Sequence, residues 1–250
     1  MKALILAAGY ATRLYPLTKD MPKPLLKLNG RPILDYIMDE VEKVEGLDKI
    51  YIVTNNKFYS HFVHWLVPKL RINADRYKVI NDGSTTVESR LGAVGDINLA
   101  VDQEKIEDDL LIIAGDNLFN FDLNQFVAFS KEKGREHSVC LYESTNGFDL
   151  TRFGIAQLND NHEIVSFEEK PKSPRTKLIS TCIYFIPKEK LYLIPKYLET
   201  GKNHDTPGSY ISWLSKNERV FGKTCGGMWF DLGDFDTLSE AVAYIHLNKN

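Results

Sequence analysis

Residues 6–18, LAAGYATRLYPLT, and residues 21–26, MPKPLL, decide the fold of this chain of 250 residues. The stretch begins in an apolar strand, continues into a loop of small residues, and places two cations, Arg13 and Lys23, in that loop. Small residues let backbone N–H groups approach an anion without an intervening Cβ atom. Arg13 can grip phosphate oxygens with its guanidinium fork, and Lys23 can add a point charge. The pattern therefore predicts a phosphate-binding loop after the first strand.

Two common phosphate-loop patterns are missing from the sequence. It contains neither G-x-x-x-x-G-K-[ST], which is typical of Walker-type NTPases, nor G-x-G-x-x-G, which is typical of dinucleotide-binding domains. An NTPase of the Walker type and a dinucleotide-dependent dehydrogenase are both disfavoured.

Strand-like and helix-like segments alternate along the chain. Predicted strands cover residues 3–6, 49–53, 77–80, 110–114, 138–141, 154–158, 163–167 and 178–186. Predicted helices cover residues 32–44, 58–70, 90–101, 123–133, 188–198, 208–214 and 236–247. The alternation predicts an α/β fold of a single domain over residues 1–250, Rossmann-like, with a mixed and mostly parallel sheet flanked by helices. Ligands of such sheets bind at the carboxyl ends of the strands.

Composition narrows the classes of partner. The net charge of −3 provides no electrostatic footprint for nucleic acid or an anionic membrane. No apolar run approaches the roughly 20 residues that span a bilayer, and residues 1–8 fit a first strand better than a signal peptide. The three cysteines, Cys140, Cys182 and Cys225, are widely spaced, which indicates a reducing compartment. We expect a cytoplasmic protein without structural zinc; homo-oligomerisation stays open.

The opening stretch resembles the signature of sugar-1-phosphate nucleotidylyltransferases of the glucose-1-phosphate thymidylyltransferase type, roughly G-x-G-T-R-x-x-P-x-T-x-x-x-P-K-x-L. It departs from that pattern at Ala11, where glycine is usual and where a positive φ would cost stability. The resemblance implies the nucleotide-diphospho-sugar transferase fold, with a nucleotide-binding half over residues 1–142 and an acceptor-binding half over residues 143–250. It also implies that an NTP and a sugar-1-phosphate, or a related phosphate monoester, react to give an NDP-sugar and pyrophosphate.

Two acidic positions are candidates for a magnesium site. Asp116 follows the predicted strand 110–114 within Gly-Asp-Asn, and Asp231 lies in residues 228–234, MWFDLGD. Mg²⁺ prefers oxygen ligands and usually takes one or two carboxylates together with substrate phosphates. The resemblance assigns Asp116 and Asp231 to metal binding and Mg²⁺ as the cofactor, while Asp234 and Asp236 are predicted to cap the last helix.

The resemblance also assigns the remaining site residues. Arg13, Lys23 and Asp116 are the predicted catalytic residues, with Arg13 on the leaving pyrophosphate and Lys23 near the α-phosphate. The predicted nucleotide-binding residues are Leu6, Ala7, Ala8, Gly9, Thr12, Asn81, Asp82 and Gly92. The predicted acceptor-binding residues are Asn117, Gly154, Glu169, Lys170 and Thr181, with Lys170 on the acceptor phosphate.

The resemblance is weakest at residues 81–89, NDGSTTVES, where the family usually carries Q-x-x-P-x-G-L-A and reads the base. Amide and carboxylate groups there can reach a base edge, but base specificity does not transfer across the difference. A cytidylyltransferase acting on a non-sugar phosphate, such as phosphocholine, a phosphonate or an inositol phosphate, stays open. So does a catalytically silent nucleotide-sensing domain. A glycosyltransferase is disfavoured because Gly-Asp-Asn stands in place of a D-x-D motif.

Overall fold

The computed structural model of the chain describes residues 1–145 and 147–248. Its strands are β1 (Lys2–Leu6), β2 (Lys27–Leu28), β3 (Arg31–Pro32), β4 (Lys49–Thr54), β5 (Tyr77–Asn81), β6 (Leu110–Ala114), β7 (Asn117–Phe119), β8 (His137–Glu143), β9 (Gly154–Leu158), β10 (Ile164–Glu169), β11 (Leu178–Ile186), β12 (Val220–Thr224) and β13 (Trp229–Asp231). Its helices are α1 (Ile33–Val41), α2 (Tyr59–Leu70), α3 (Ala93–Gln103), α4 (Leu123–Glu132), α5 (Leu193–Glu199), α6 (Pro207–Asn217) and α7 (Phe235–Leu247).

The central sheet contains nine strands, seven of them in the order β10-β9-β11-β6-β1-β4-β5, with β8 paired to β11 and β12 paired to β8. Strands β6, β1, β4 and β5 run parallel, whereas β11 is antiparallel to its three neighbours β6, β8 and β9. The predicted α/β fold, with a mixed and mostly parallel sheet flanked by helices, is confirmed. None of the helices in the described ranges is both long and apolar enough to cross a membrane.

The core lies on both faces of the sheet, and β1 shows how the sequence directs it. Successive side chains of a strand point to opposite faces. Ala3 and Ile5 therefore join one apolar cluster, with residues of α1, α2, α4 and α7. Leu4 joins the other cluster, with residues of α3, α5 and α6. All three residues are completely buried, which explains why the segment reads as a continuous apolar run.

Several element boundaries differ from the prediction. The helix predicted from residue 32 begins at Ile33, because Pro32 has an extended ψ of 143° and pairs with Lys27 in the β2–β3 hairpin. The helix predicted from residue 90 begins at Ala93, because Gly92 has a φ of 76°, which is incompatible with a right-handed helix. Of the two predicted caps, Asp234 is confirmed: its carboxylate accepts a hydrogen bond from Thr237 N in a capping box, whereas Asp236 lies within the first turn of α7.

The short strands β2, β3, β7, β12 and β13 were not predicted from the sequence. β7 and β13 have only three residues each and pair with one another, away from the main sheet. Such short segments show no period that distinguishes a strand from a loop. The pairing matters because it places Asp231 opposite Asn117, beside Asp116.

Candidate active site

A cavity of about 400 Å³ opens at the carboxyl ends of β1 and β6. The last residues of these two strands, Leu6 and Ala114, are in register, so the loops that follow them start side by side. Gly115 is required at this junction, because a Cβ atom there would come within 2.8 Å of Leu6 O. The loop after β1 and the Gly-Asp-Asn segment after β6 therefore reach the same cavity.

Most of the predicted site residues line this cavity, from both predicted halves of the chain. They are Leu6, Ala7, Ala8, Gly9, Arg13, Lys23, Gly92, Asp116, Asn117, Gly154, Glu169, Lys170 and Asp231. The residues predicted for the site that do not form part of its lining are Thr12, Asn81, Asp82 and Thr181.

The loop after β1 depends on an unusual backbone conformation at Ala11. This residue has φ 47° and ψ 44°, in the left-handed region that favours glycine. Its carbonyl accepts hydrogen bonds from Leu14 N at 3.0 Å and from Thr18 Oγ1 at 2.7 Å, which fixes the turn that carries Arg13. The turn is thus formed with alanine in a conformation that glycine would adopt without strain.

Ala11→Gly is expected to stabilise the protein. Glycine relieves a left-handed strain of about 1–2 kcal/mol and offsets part of that gain through its larger unfolded-state entropy. A net gain of about 1 kcal/mol would raise Tm by about 2–4 °C in a chain of this size. Thermal unfolding of wild type and of Ala11→Gly measures this change in Tm. An unchanged or lower Tm in the variant would show that Ala11 is not strained.

Lys23, Asp116 and Asp231 form the charged centre of the cavity. Lys23 is only 5% exposed, and its Nζ donates a hydrogen bond to Asp116 Oδ2 at 2.9 Å. Burial raises the pKa of Asp231, and the neighbouring Asp116 charge raises this pKa further. The charges of Lys23 and Arg13 act in the opposite direction on the same pKa. Asp116 and Asp231 repel one another although the cationic side chains of Lys23 and Arg13 are nearby. A further cation between the two carboxylates would stabilise this arrangement.

The donor set at this centre fits Mg²⁺. Asp116 and Asp231 offer hard oxygen ligands, and Asp116 keeps its second oxygen free of Lys23. Across residues 1–145 and 147–248, no three His, Cys, Asp or Glu side chains form a cage for a metal ion. Mg²⁺ does not need one, since it commonly takes one or two carboxylates and completes its shell with water and substrate phosphates.

Glu169 occupies a site built by two glycines. It ends β10, and burial raises the pKa of its carboxyl group. A Cβ atom on Gly154 would lie 3.0 Å from Glu169 Oε2, and one on Gly208 would lie 1.8 Å from the same oxygen. Gly208 is the second residue of α6, and its lack of a side chain leaves the space that the Glu169 carboxylate occupies.

Gly208→Ala is expected to move the Glu169 carboxylate with little loss of stability, because the group that must shift is the end of a flexible side chain. We expect the KM of the acceptor to rise about tenfold, the effect of one lost hydrogen bond to a charged group, while the KM of the nucleotide is unchanged. Steady-state kinetics, with each substrate varied in turn, measures the two KM values separately. Gly226→Ala is the matched control, since no atom lies within 4 Å of the new methyl position; equal behaviour of both variants would contradict the assignment.

Thr181 does not contact the cavity, although its strand does. It is completely buried, its Oγ1 donates to Cys140 O at 2.8 Å, and its carbonyl accepts from Asn117 Nδ2 at 2.9 Å. Its neighbours Ser180 and Cys182 line the cavity instead, because successive side chains of a strand point to opposite faces. The pairing of β11 with β8 is irregular between residues 180 and 184. The amide of Asn117 thus fixes this irregular strand as well as lining the site.

The other three predicted residues outside the lining are engaged locally. Thr12 is exposed at the start of a short 3₁₀ turn. Asn81 Nδ2 donates to Asn56 Oδ1 at 2.7 Å, and Asn81 Oδ1 accepts from Gly83 N at 2.9 Å. Asp82 accepts hydrogen bonds from the backbone and hydroxyl of Ser84.

The sequence analysis missed the contact between α3 and the segment before α6. Arg90 forms a two-pronged ion pair with Asp205, with both N–O distances 2.7 Å. The carbonyl of His204 accepts the amide of Val94, and a Cβ atom on Gly92 would approach His204 O to 2.7 Å. Residues 115 positions apart make this contact, so no local pattern could have predicted it.

Fold and site together define an α/β protein in which a loop of small residues, several cations and several carboxylates surround one cavity. A family model described as nucleotidyl transferase matches residues 2–247. The chain therefore belongs to the nucleotidyl transferase family, which confirms the resemblance seen in the sequence.

Individual relatives agree with this assignment. The bifunctional protein GlmU of Methanocaldococcus jannaschii is 29% identical to this chain over 98% of it and 54% of GlmU. The UTP–glucose-1-phosphate uridylyltransferase AglF of Haloferax volcanii is 30% identical over 74% of this chain and 71% of AglF. A provisionally assigned glucose-1-phosphate thymidylyltransferase of Bacillus anthracis, crystallised with sucrose, shares the fold with a TM-score of 0.82, 24% identity and coverage of 98% and 94%. The chain spans between 54% and 60% of several curated relatives.

Proposed function

We propose that this chain is a Mg²⁺-dependent nucleotidylyltransferase that joins an NTP and a sugar-1-phosphate to give an NDP-sugar and pyrophosphate. The observation that carries the proposal is the shared cavity in which Arg13, Lys23, Asp116 and Asp231 lie together with Glu169 and Lys170. The names of the relatives support it, since AglF is a glucose-1-phosphate uridylyltransferase.

The proposed reaction needs positioning and charge neutralisation rather than a nucleophilic side chain. An oxygen of the sugar phosphate attacks the α-phosphorus of the NTP in line, the bond to the bridging oxygen breaks, and pyrophosphate leaves with that electron pair. A phosphate monoester is already ionised at neutral pH, so no general base is required. Preorganised cations stabilise the charge that develops in such a transfer.

Each charged residue has a distinct task in this proposal. Lys23, held by Asp116, positions the α-phosphate, and the exposed Arg13 stabilises charge on the leaving pyrophosphate. Lys170, whose backbone is fixed by a hydrogen bond from its amide to Phe153 O at 3.0 Å, orients the acceptor phosphate. When bound to Asp116 and Asp231, Mg²⁺ would neutralise phosphate charge as a Lewis acid.

A pyrophosphate-release screen tests the function directly. The common NTPs are each combined with a panel of sugar-1-phosphates and small phosphate monoesters, and products are identified by mass. We expect one NTP and one class of sugar-1-phosphate to give equal amounts of NDP-sugar and pyrophosphate, with no release in EDTA or with the matching sugar-6-phosphate. A product formed only with phosphocholine, a phosphonate or an inositol phosphate would favour the cytidylyltransferase alternative. No product with any pair would favour a silent nucleotide-sensing domain.

A further inference from the structure

A second pair of carboxyl groups, separate from Asp116 and Asp231, has one member, Asp96, in the lining of the cavity. Asp96 lies on α3, one helical turn after Gly92, and it lines the cavity although it is only 5% exposed. Its Oδ1 is shielded from solvent and receives no N–H or O–H from any residue that the structure describes. A buried acceptor without a donor is costly unless a proton or a ligand satisfies it.

Asp82, which follows β5, is the partner of Asp96. Its Oδ1 accepts a hydrogen bond from Ser84 N at 2.7 Å and another from Ser84 Oγ at 2.8 Å. The carboxyl groups of Asp82 and Asp96 lie within hydrogen-bond reach of each other. No lysine or arginine in the described part of the chain contributes to the pKa shift of either carboxyl group. Two adjacent carboxyls, one of them buried and the other half-buried, are stable without a cation when they share one proton.

The surroundings assign that proton to Asp96. Burial raises the pKa of Asp96 to about 8, with further contributions from Asp82 and Asp205. Burial also raises the pKa of Asp82, but its hydrogen bonds with Ser84 and Asp96 act against this. The other titratable groups nearby are Tyr10, Glu88 and Arg90. Burial raises the pKa of Tyr10, and Arg90 is paired with Asp205. At neutral pH Asp96 is therefore an acid that donates to Asp82 with one oxygen and keeps the other as an acceptor.

We infer that Asp96 reads the nucleobase by accepting an N–H from the base edge with the oxygen that is not bonded to Asp82. The inference rests on the proposed function and identifies a specificity-determining residue for its nucleotide. A triphosphate or a sugar phosphate is an anion and is repelled by an acidic pair, whereas a base is neutral. The cavity that Asp96 lines is also lined by Leu6, Ala7, Ala8 and Ala93, small or apolar residues against which a flat base can pack.

Two substitutions of Asp96 separate this role from a structural one. Asp96→Asn imitates the protonated acid, because its amide can donate to Asp82 while its carbonyl accepts from the base. Asp96→Leu keeps the size of the side chain but removes both functions. We expect Leu to raise the KM of the NTP about 10- to 100-fold with kcat and the KM of the acceptor little changed, and Asn to stay near wild type. Asp102→Asn, on the exposed side of the same helix, is the matched control.

The pH profile provides a readout that a packing role would not change. As pH rises through about 8, Asp96 loses its proton and its bond to Asp82. The ratio of the NTP KM of wild type to that of Asp96→Asn should therefore be constant below about pH 7 and rise above pH 8. Using the ratio cancels the titration of the nucleotide itself. A constant ratio across pH 6–9.5, or a Leu variant that raises only the acceptor KM, would overturn the inference.

The inference and the proposed function can fail separately. If the wild-type protein turns over no NTP, the shift in Tm on adding each NTP still measures binding. We then expect Asp96→Leu to lose the nucleotide-dependent shift that Asp96→Asn keeps. An equal shift in wild type, Asn and Leu would contradict recognition by Asp96 whatever the reaction proves to be.

Discussion

Asp231→Asn is expected to lower turnover by about 10³-fold while raising the Tm of the metal-free protein. A Lewis acid contributes several kcal/mol to a transfer between phosphates, and each 1.36 kcal/mol is a factor of ten in rate. Without metal, Asp231 is a partly buried charge repelled by Asp116. Asparagine has nearly the same shape and removes that repulsion. Activity and stability should therefore change in opposite directions.

Asp116→Asn provides the comparison that identifies the cause. It should also abolish turnover, but it leaves the buried ammonium of Lys23 without its carboxylate at 2.9 Å. We expect this variant to lose about 1 kcal/mol of stability, a low value for a charged hydrogen bond because Asp116 is partly exposed. Asp236→Asn, on an exposed residue of α7 outside the cavity, should change neither quantity appreciably.

Pyrophosphate release and thermal unfolding in EDTA, each repeated across a Mg²⁺ titration, measure both effects. Wild type should gain Tm when Mg²⁺ and NTP are added together, and Asp231→Asn should lose that gain. Turnover by Asp231→Asn and Asp116→Asn at the wild-type level would contradict the metal assignment. A lower Tm for Asp231→Asn in EDTA would show that the two carboxylates do not repel one another.

The sequence predicted the parts of this site that follow directly from a strand. The loop of Gly9 and Arg13 comes immediately after β1, and Asp116 comes two residues after β6, so their position at one sheet edge follows from the order of the elements. The stretch around Lys23 also has a local pattern strong enough to identify the family. In these cases a local pattern together with the order of the elements is enough to place the residues.

The remaining parts depend on contacts between distant segments. Nothing near Gly208 in the sequence shows that the Glu169 carboxylate occupies the space of its missing side chain. The pairing of Asp82 with Asp96 could not be predicted either, because it depends on how α3 packs against the sheet. Helical spacing offered one signal: Asp96 follows Gly92 by four residues, so it lies on the same side of α3.

Strand β11 accounts for a further difference. Alternation along the strand places Ser180 and Cys182 on the cavity side and buries Thr181 on the opposite face. The hydrophobic pattern did not show which of these two faces borders the cavity. It also did not show that Cys182 adopts a φ of 57° or that the ladder with β8 is interrupted between residues 180 and 184.

Arg13→Ala is expected to lower kcat by about 10²- to 10³-fold, the usual effect of removing one preorganised group that stabilises developing charge. Arg13 is exposed at the cavity, and the turn that carries it is fixed by the hydrogen bonds to Ala11 O, so its removal should leave the fold unchanged. Its positive charge reaches Asp231, whose pKa it lowers, so it is close to the proposed metal site. Single-turnover rates of pyrophosphate release measure the effect on the chemical step.

Two further variants show whether charge or shape matters at this position. Arg13→Lys keeps the charge but loses the planar fork that binds two oxygens, so it should fall between wild type and Ala. Lys19→Ala removes an exposed cation of the same loop that is not part of the cavity lining, and its kcat should equal that of wild type. If Arg13→Ala changes the KM of the NTP but leaves kcat intact, Arg13 binds the nucleotide equally in the ground and transition states. The task of stabilising the leaving pyrophosphate would then fall to Lys23 and the metal ligands alone.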